Sequence, residues 1–155
     1  MGRLEAICIT SAASQPMEAV SEIEALVGIG LAGDRYANGV GFYSPRPTDP
    51  GAREVTLIAA ETLDELQLSP TQHRRNLTVR GVNLSELLGE RFTIGEVVLE
   101  GVKDCPPCEH LEQLARKALI RPLLERGGLR ARIVVGGTLR VGDAIVVAAP
   151  AKVQL

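Results

Sequence analysis

Residues 129–147 read LRARIVVGGTLRVGDAIVV, and this stretch decides the fold class. From Leu129 to Val135 apolar residues occupy every second position, with arginines at 130 and 132 between them. Strict alternation of this kind is typical of a half-buried β-strand. Gly136-Gly137 supplies the positive φ angles of a two-residue turn, so residues 138–141 are predicted to return as the second strand of a hairpin. A further strand is predicted over residues 144–148.

Other short apolar runs between turn residues predict more strands and few helices. Near the N-terminus Leu4, Ala6 and Cys8 alternate with their neighbours, which predicts a half-buried strand. Residues 92–102 predict a second hairpin that turns at Gly95-Glu96. Short helices are predicted over residues 60–66, over residues 83–88 and from about residue 109 onward. These features together predict a mainly β domain, a barrel with a few short helices at its rim.

Composition narrows the classes of function. The chain has 155 residues, 45% of them hydrophobic, and a formal net charge of −2. This length predicts one domain over residues 1–155, and so apolar a chain can form a core rather than stay disordered. A slightly acidic chain with 3% aromatic residues is poorly suited to bind nucleic acid. The longest apolar run is too short to cross a bilayer and the first residues lack a secretion signal, so we expect a cytoplasmic protein without a membrane partner.

The stretch Gly28-Ile29-Gly30-Leu31-Ala32-Gly33 matches the G-x-G-x-x-G pattern of dinucleotide-binding sites. Glu54 lies at the sequence distance expected of a ribose-binding acid. Such a site also needs a helix directly after the glycines, because the pyrophosphate binds at the helix N-terminus. The chain instead enters a loop rich in glycine and proline over residues 38–51, so these glycines are predicted to form a turn.

The segment Cys105-Pro106-Pro107-Cys108-Glu109-His110 is the leading candidate for chemistry. A structural zinc site needs four ligands, and apart from this segment the chain offers no second cysteine pair and only His73 as a further histidine. The remaining interpretations are a redox dithiol, two inert buried thiols, and a reactive or metal-ligating thiolate. The last is favoured for Cys108, because a helix predicted to begin at about Glu109 and the nearby Lys103 would stabilise its thiolate.

A basic cluster, Arg74-Arg75-Asn76, has two interpretations. It is either a solvated strand start or a clamp for an anion, since paired guanidinium groups match the geometry of phosphate. The pairs Asp34-Arg35 and Arg53-Glu54 flank the long loop, and taken alone they indicate salt bridges.

Several short blocks, read in chain order, form an ordered set that comprises residues 30–35, 53–58, 74–82, 88–95, 105–111, 127–131 and 141–143. The set spans about residues 25–145 and resembles the MOSC domain, the C-terminal module of molybdenum cofactor sulfurases. The resemblance implies a β-barrel with one functional cysteine that follows a proline near the end of the domain. Pro107-Cys108 matches that position, so Cys108 is expected to ligate molybdenum or to carry a persulfide.

The resemblance also implies a set of cofactor-binding residues. Arg74, Arg75 and Asn76 would face the phosphate and pterin of the molybdenum cofactor (molybdopterin), and we assign Lys103 to the same set. Asp34 and His110 are the candidates for proton transfer beside Cys108. Cys105 has no counterpart in the family pattern, which leaves a disulfide with Cys108 open.

Among members of the family, the sequence resembles the stand-alone bacterial MOSC proteins, some of which are similar to enzymes that reduce N-hydroxylated base analogues. The leading hypothesis is a reductase in which Cys108 ligates molybdenum and a small-molecule substrate is reduced with electrons from a donor protein. The alternatives are a persulfide carrier supplied by a sulfur-donor protein, and a module that delivers the cofactor without turnover.

Overall fold

The strands form a closed barrel and a smaller separate sheet. The computed structural model describes residues 2–41, 51–69, 71, 73–105 and 126–147. The strands are β1 (Gly2–Ile9), β2 (Glu18–Val20), β3 (Glu22–Leu26), β4 (Gly30–Leu31), β5 (Val55–Ala59), β6 (Leu77–Arg80), β7 (Arg91–Ile94), β8 (Val97–Asp104), β9 (Leu129–Val135), β10 (Gly137–Arg140) and β11 (Ala144–Val147). Helix α1 covers Ala60–Leu66, and a 3-10 helix covers Leu84–Leu87. The predicted mainly β fold with short helices is therefore confirmed, whereas the helix predicted from residue 109 lies outside the described residues.

Seven strands close the barrel in the order β11-β7-β8-β9-β5-β6-β1, because β1 also pairs with β11. β2 is added to β1 beside the ring. Closure pairs both edges of every strand in the ring, which removes the exposed edges at which other chains could pair. The inward side chains form one apolar core, which includes Leu4, Leu57, Leu77, Phe92, Leu99 and Ile133.

The strand predicted near the N-terminus is confirmed as β1, but its alternation breaks after Leu4. Ile7 is fully buried in the barrel core and Ala6 is half-buried, whereas Cys8 is fully buried outside that core. The cause is a register shift against β6 between Leu4 and Ala6, where Glu5 is the extra residue. One extra residue exchanges the two faces of a strand, and sequence periodicity cannot reveal it.

The predicted hairpin at Gly136-Gly137 is also wrong. Both strands exist, but β10 pairs with β3 in the three-stranded sheet β10-β3-β4. β9 cannot accept β10, since its two edges are already paired with β5 and β8. The hairpin predicted at Gly95-Glu96 is confirmed as the β7–β8 pair.

The glycine motif forms a turn, as predicted. Gly28 and Gly30 have φ angles of 73° and 131° and connect the antiparallel strands β3 and β4. No helix follows within the described residues 31–41. The Glu54 carboxylate accepts a hydrogen bond from the Ile133 amide at 2.8 Å, so it holds β9 in place.

Helix α1 lies in the crossover between β5 and β6, the parallel pair of the ring. Parallel neighbours need such a crossover, and α1 fills it. Ile58 and Leu63 are buried but do not belong to the barrel core, so a second apolar layer lies on this side. No helix in the described part of the chain is both long and apolar enough to cross a membrane.

Candidate functional site

A row of paired residues brings distant parts of the chain together. Across four neighbouring strand pairs, Asp104 lies opposite Leu129, Leu129 opposite Leu57, Leu57 opposite Leu77, and Leu77 opposite Ile7. The segments that flank this row contain the cysteine motif and the basic cluster. The sheet register therefore places both candidate motifs on one side of the molecule.

Asn76 joins three strands through its side chain. Its Oδ1 accepts hydrogen bonds from the Thr56 amide at 3.1 Å and the Thr56 hydroxyl at 3.2 Å, and its Nδ2 donates to the Cys8 carbonyl at 3.1 Å. The residue is 2% exposed. In the structure Asn76 ties β1, β5 and β6 together next to Arg74 and Arg75, and its contact with a pterin stays a prediction.

Arg75 is nearly buried, with 6% of its surface exposed, and it binds main-chain carbonyls. Its Nε donates to the Gly127 carbonyl at 2.8 Å, its Nη2 to the Cys105 carbonyl at 2.8 Å and its Nη1 to the His73 carbonyl at 3.1 Å. Cys105 and Gly127 flank residues 106–126 in sequence. The Arg75 guanidinium therefore connects the basic cluster to both ends of the segment that contains Cys108.

His73 also lies in this region, although its sequence context indicates only a possible metal ligand. It is fully buried, and its Nδ1 accepts a hydrogen bond from the Arg75 amide at 2.9 Å. That bond leaves the ring proton on Nε2, which faces the Thr78 hydroxyl at 3.4 Å. Burial, together with the charge of Arg75, lowers the pKa of His73 to about 3. A single histidine in a polar run has no periodicity, so only the tertiary structure reveals this role.

The buried His73 predicts a specific loss of stability in acid. Its pKa falls from 6.5 to about 3 on folding, so between these pH values the unfolded chain binds the extra proton. The free energy of unfolding should therefore fall as the pH drops below 6.5, by at most about 1.4 kcal/mol per pH unit from this group. Asparagine at position 73 could still accept the amide bond two residues on, but it does not titrate. Urea melts from pH 7 to pH 4 should show a shallower pH dependence for His73→Asn, and parallel curves would contradict the assignment.

Asp34, Arg35 and Arg74 form a second polar cluster. The Asp34 carboxylate is fully buried and accepts hydrogen bonds from Arg35 Nη1 at 3.1 Å and from the Thr10 amide at 3.2 Å. Arg35 is stacked over the Tyr36 ring, 4.8 Å from its centroid, and its Nη2 donates to the Arg74 carbonyl at 3.2 Å. The pair 34–35 is thus a salt bridge, as its sequence indicates, and it also contacts the basic cluster.

Arg74 lies where two strained loops meet. Arg74 and Ser14 both have left-handed φ angles, 60° and 66°, and Arg74 Nη1 donates to the Gln15 carbonyl at 2.7 Å. Non-glycine residues in this conformation cluster at functional sites. Burial and the neighbouring charge of Arg35 lower the pKa of Arg74 to about 10, so it stays cationic at neutral pH. Two guanidinium groups against the carboxylate of Asp34 leave the cluster net positive, which suits an anionic group such as a phosphate.

The cysteine motif begins at the end of β8. Cys105 is 5% exposed with a free thiol, and its amide donates to the Gly128 carbonyl at 3.0 Å. Lys103 lies just before it and is exposed. Cys108 and His110 lie outside the described residues, so their roles stay predictions. Within the described residues, no group of three or more His, Cys, Asp or Glu side chains is placed to hold a metal ion.

Cys8 is the internal reference for thiol reactivity. It is fully buried in β1, and burial raises the pKa of its thiol to about 11. At neutral pH Cys8 should therefore react slowly with iodoacetamide, since the thiolate is the nucleophile. Cys108 should react faster in cofactor-free protein, because the helix predicted after it and Lys103 would depress its pKa. A timed reaction with mass mapping measures the two rates, and equally slow labelling of all three cysteines would contradict a reactive Cys108.

Comparisons with known proteins agree with this architecture. The sequence model of the MOSC domain matches residues 52–146. The structure is similar to the crystal structure of YuaD from Bacillus subtilis, with a TM-score of 0.75 and 19% identity over 97% of this chain and 98% of that chain. It is also similar to YiiM from Geobacillus stearothermophilus, with a TM-score of 0.70 and 10% identity over 96% of this chain and 76% of that chain. YiiM from Escherichia coli matches with a TM-score of 0.63 and 18% identity, over 96% of this chain and 70% of that chain.

A search among curated proteins finds no match. At these identities the structural neighbours establish the fold, and the family rests on the sequence model. That model covers more than half of the chain, including the basic cluster, the cysteine motif and most of the barrel. The chain belongs to the MOSC domain family.

Proposed function

We propose that this protein binds the molybdenum cofactor, with Cys108 as a thiolate ligand to the metal, and reduces small N-hydroxylated compounds. The observation that carries the proposal is the net-positive cluster of Asp34, Arg35 and Arg74, in which Asp34 and Arg35 are buried and Arg74 is half-buried. Asp34 neutralises only one of the two guanidinium charges, and the charge of Arg35 lowers the pKa of Arg74, so a second anion would stabilise the cluster. A phosphate-bearing cofactor supplies such an anion. The cluster is also connected to the cysteine motif, because Arg35 donates to the Arg74 carbonyl and the next residue, Arg75, donates to the Cys105 carbonyl.

The residues divide into groups with separate tasks. Arg74, together with Arg35, would bind the cofactor phosphate, and Lys103 would add positive charge beside the cysteine motif. Asn76 holds the strands beneath the basic cluster in register. Asp34 orients Arg35 and is the candidate for proton transfer in the described part of the site, and His110 is the second candidate. When bound, the cofactor would supply the electron transfer that breaks an N–O bond, while the protein provides position and electrostatics.

Metal and pterin content test this proposal directly. The full chain would be produced in a host that synthesises the cofactor, and molybdenum and pterin would be measured in the purified protein. We expect both in the wild type and little molybdenum in Cys108→Ala. Arg74→Met should lower the pterin content. Arg91→Met should not, since Arg91 is an exposed residue of β7 whose partner is Glu100 on β8. Wild-type protein without molybdenum or pterin would overturn the proposal.

A persulfide carrier is the second candidate, because the motif places the free thiol of Cys105 close in sequence to Cys108. Such a carrier would take the outer sulfur of a persulfide on a donor protein, whose own cysteine leaves as the thiolate, and would have no turnover of its own. Wild-type protein that lacks molybdenum but accumulates persulfide at Cys108 would favour it. In either role the protein is expected to work in the cytoplasm with a partner that donates electrons or sulfur.

A further inference from the structure

We propose that Arg75 is a positioning residue that binds the main-chain carbonyls of Cys105 and Gly127 and thereby fixes where the segment that contains Cys108 leaves and rejoins the barrel. This assignment deepens the proposed function, in which Cys108 is the reactive thiol. It differs from the role that the sequence indicated for Arg75, which was contact with a phosphate.

The first support is the way in which the Arg75 guanidinium is used. Three of its nitrogens donate to carbonyls from three separate places in the chain, Gly127, Cys105 and His73. The two shorter bonds, both 2.8 Å, reach the residues on either side of residues 106–126. Hydrogen bonds from a charged donor are about twice as strong as neutral ones. Arg75 therefore joins the two ends more firmly than a neutral side chain would.

The second support is the close packing of the residues around the carbonyls that Arg75 binds. The Cys105 amide donates to the Gly128 carbonyl at 3.0 Å, directly beside the carbonyls that Arg75 binds. Gly128 has a φ of 110°, and a Cβ there would lie 2.0 Å from the Leu57 carbonyl oxygen of β5. We call the junction of Cys105, Gly127 and Gly128 the neck. The neck is therefore packed against β5 of the barrel.

The third support is that His73 fixes Arg75 through two hydrogen bonds. His73 Nδ1 accepts the Arg75 amide, and the His73 carbonyl accepts Nη1 of the same residue. A side chain bound at both its backbone and its tip has few other rotamers, so the guanidinium is pre-organised for the neck. A lysine at this position carries the charge but lacks the planar fork that reaches three carbonyls.

Thiol protection tests the proposal in the full-length, cofactor-free chain. Cys105 is 5% exposed in the closed neck, so it should be protected from iodoacetamide in the wild type. Arg75→Met should raise the labelling rate of Cys105 about tenfold or more, because the neck loses charged hydrogen bonds and opens more often. Arg75→Lys should give a smaller increase. The matched control is Arg80→Lys, because Arg80 binds Glu5 and Asp64 rather than the neck.

A second readout separates positioning from general loosening. The labelling rate of Cys105 relative to that of Cys8 should rise in both Arg75 variants and stay at the wild-type ratio in Arg80→Lys, because general loosening would raise both rates. If Arg75→Met does not fold, amide hydrogen exchange at Cys105 in Arg75→Lys replaces it, with faster exchange expected. Wild-type rates of Cys105 labelling and exchange in folded Arg75 variants would overturn the inference.

A failure of the proposed function would be distinguishable from a failure of the role assigned to Arg75. If wild-type Cys108 labels no faster than Cys8, the reactive thiolate is wrong, while the Cys105 rates still decide the role of Arg75. If the Arg75 variants lose pterin but keep Cys105 fully protected, then Arg75 is a cofactor contact and the positioning role is overturned.

Discussion

Cys108→Ser is expected to abolish the reduction of N-hydroxylated substrates. A thiolate bound to the metal is a direct ligand, and a serine hydroxyl at neutral pH is neither a thiolate nor a comparable ligand for a soft metal centre. The assay would use cofactor-loaded protein, a chemical electron donor and an N-hydroxylated base, and would follow the loss of substrate. We expect turnover by Cys108→Ser to be indistinguishable from the protein-free blank.

Cys105→Ser is the matched control for that experiment. In the structure the main chain of Cys105 contacts Gly128 and Arg75, and the substitution leaves these main-chain bonds in place. Most of the activity should therefore remain. Full activity in Cys108→Ser would rule out the metal-ligand role, and loss confined to Cys105→Ser would move that role to the earlier cysteine.

Gly128→Ala is expected to lower the free energy of unfolding by at least about 4 kcal/mol, which is more than most single substitutions cost. The added Cβ would lie 2.0 Å from the Leu57 carbonyl oxygen and 3.1 Å from the Leu57 carbonyl carbon. These are backbone atoms of β5, which is paired with β6 on one edge and β9 on the other, so they cannot move aside. The φ of 110° adds strain to the clash.

Gly142→Ala separates the clash from the strain. Gly142 has a similar φ of 99°, but a Cβ there meets no heavy atom within 4 Å. Its cost should be the backbone strain alone, about 1–3 kcal/mol. Urea unfolding followed by circular dichroism measures both variants against the wild type. Equal losses of stability in the two variants would show that the close approach of Gly128 to β5 does not matter.

Local chemistry was sufficient to predict several parts of this protein. The pattern from Leu129 to Val135, the turn at Gly95 and helix α1 all depend on neighbours in sequence, and all three are observed. The glycine turn at 28–30 follows from the residues beside it as well. The ordered MOSC-like blocks indicated the barrel and the family, because a set of motifs in a given order carries information that no single motif has.

Only the tertiary structure decided how these parts are joined. The bulge at Glu5 and the pairing of β10 with β3 depend on which strand edges are already occupied, and sequence spacing does not record that. The same holds for Arg75, whose sequence neighbours indicate an anion clamp. Its side chain binds Gly127 and Cys105 because the barrel register brings β5, β6, β8 and β9 together, and a buried guanidinium satisfies its donors with whatever acceptors lie there.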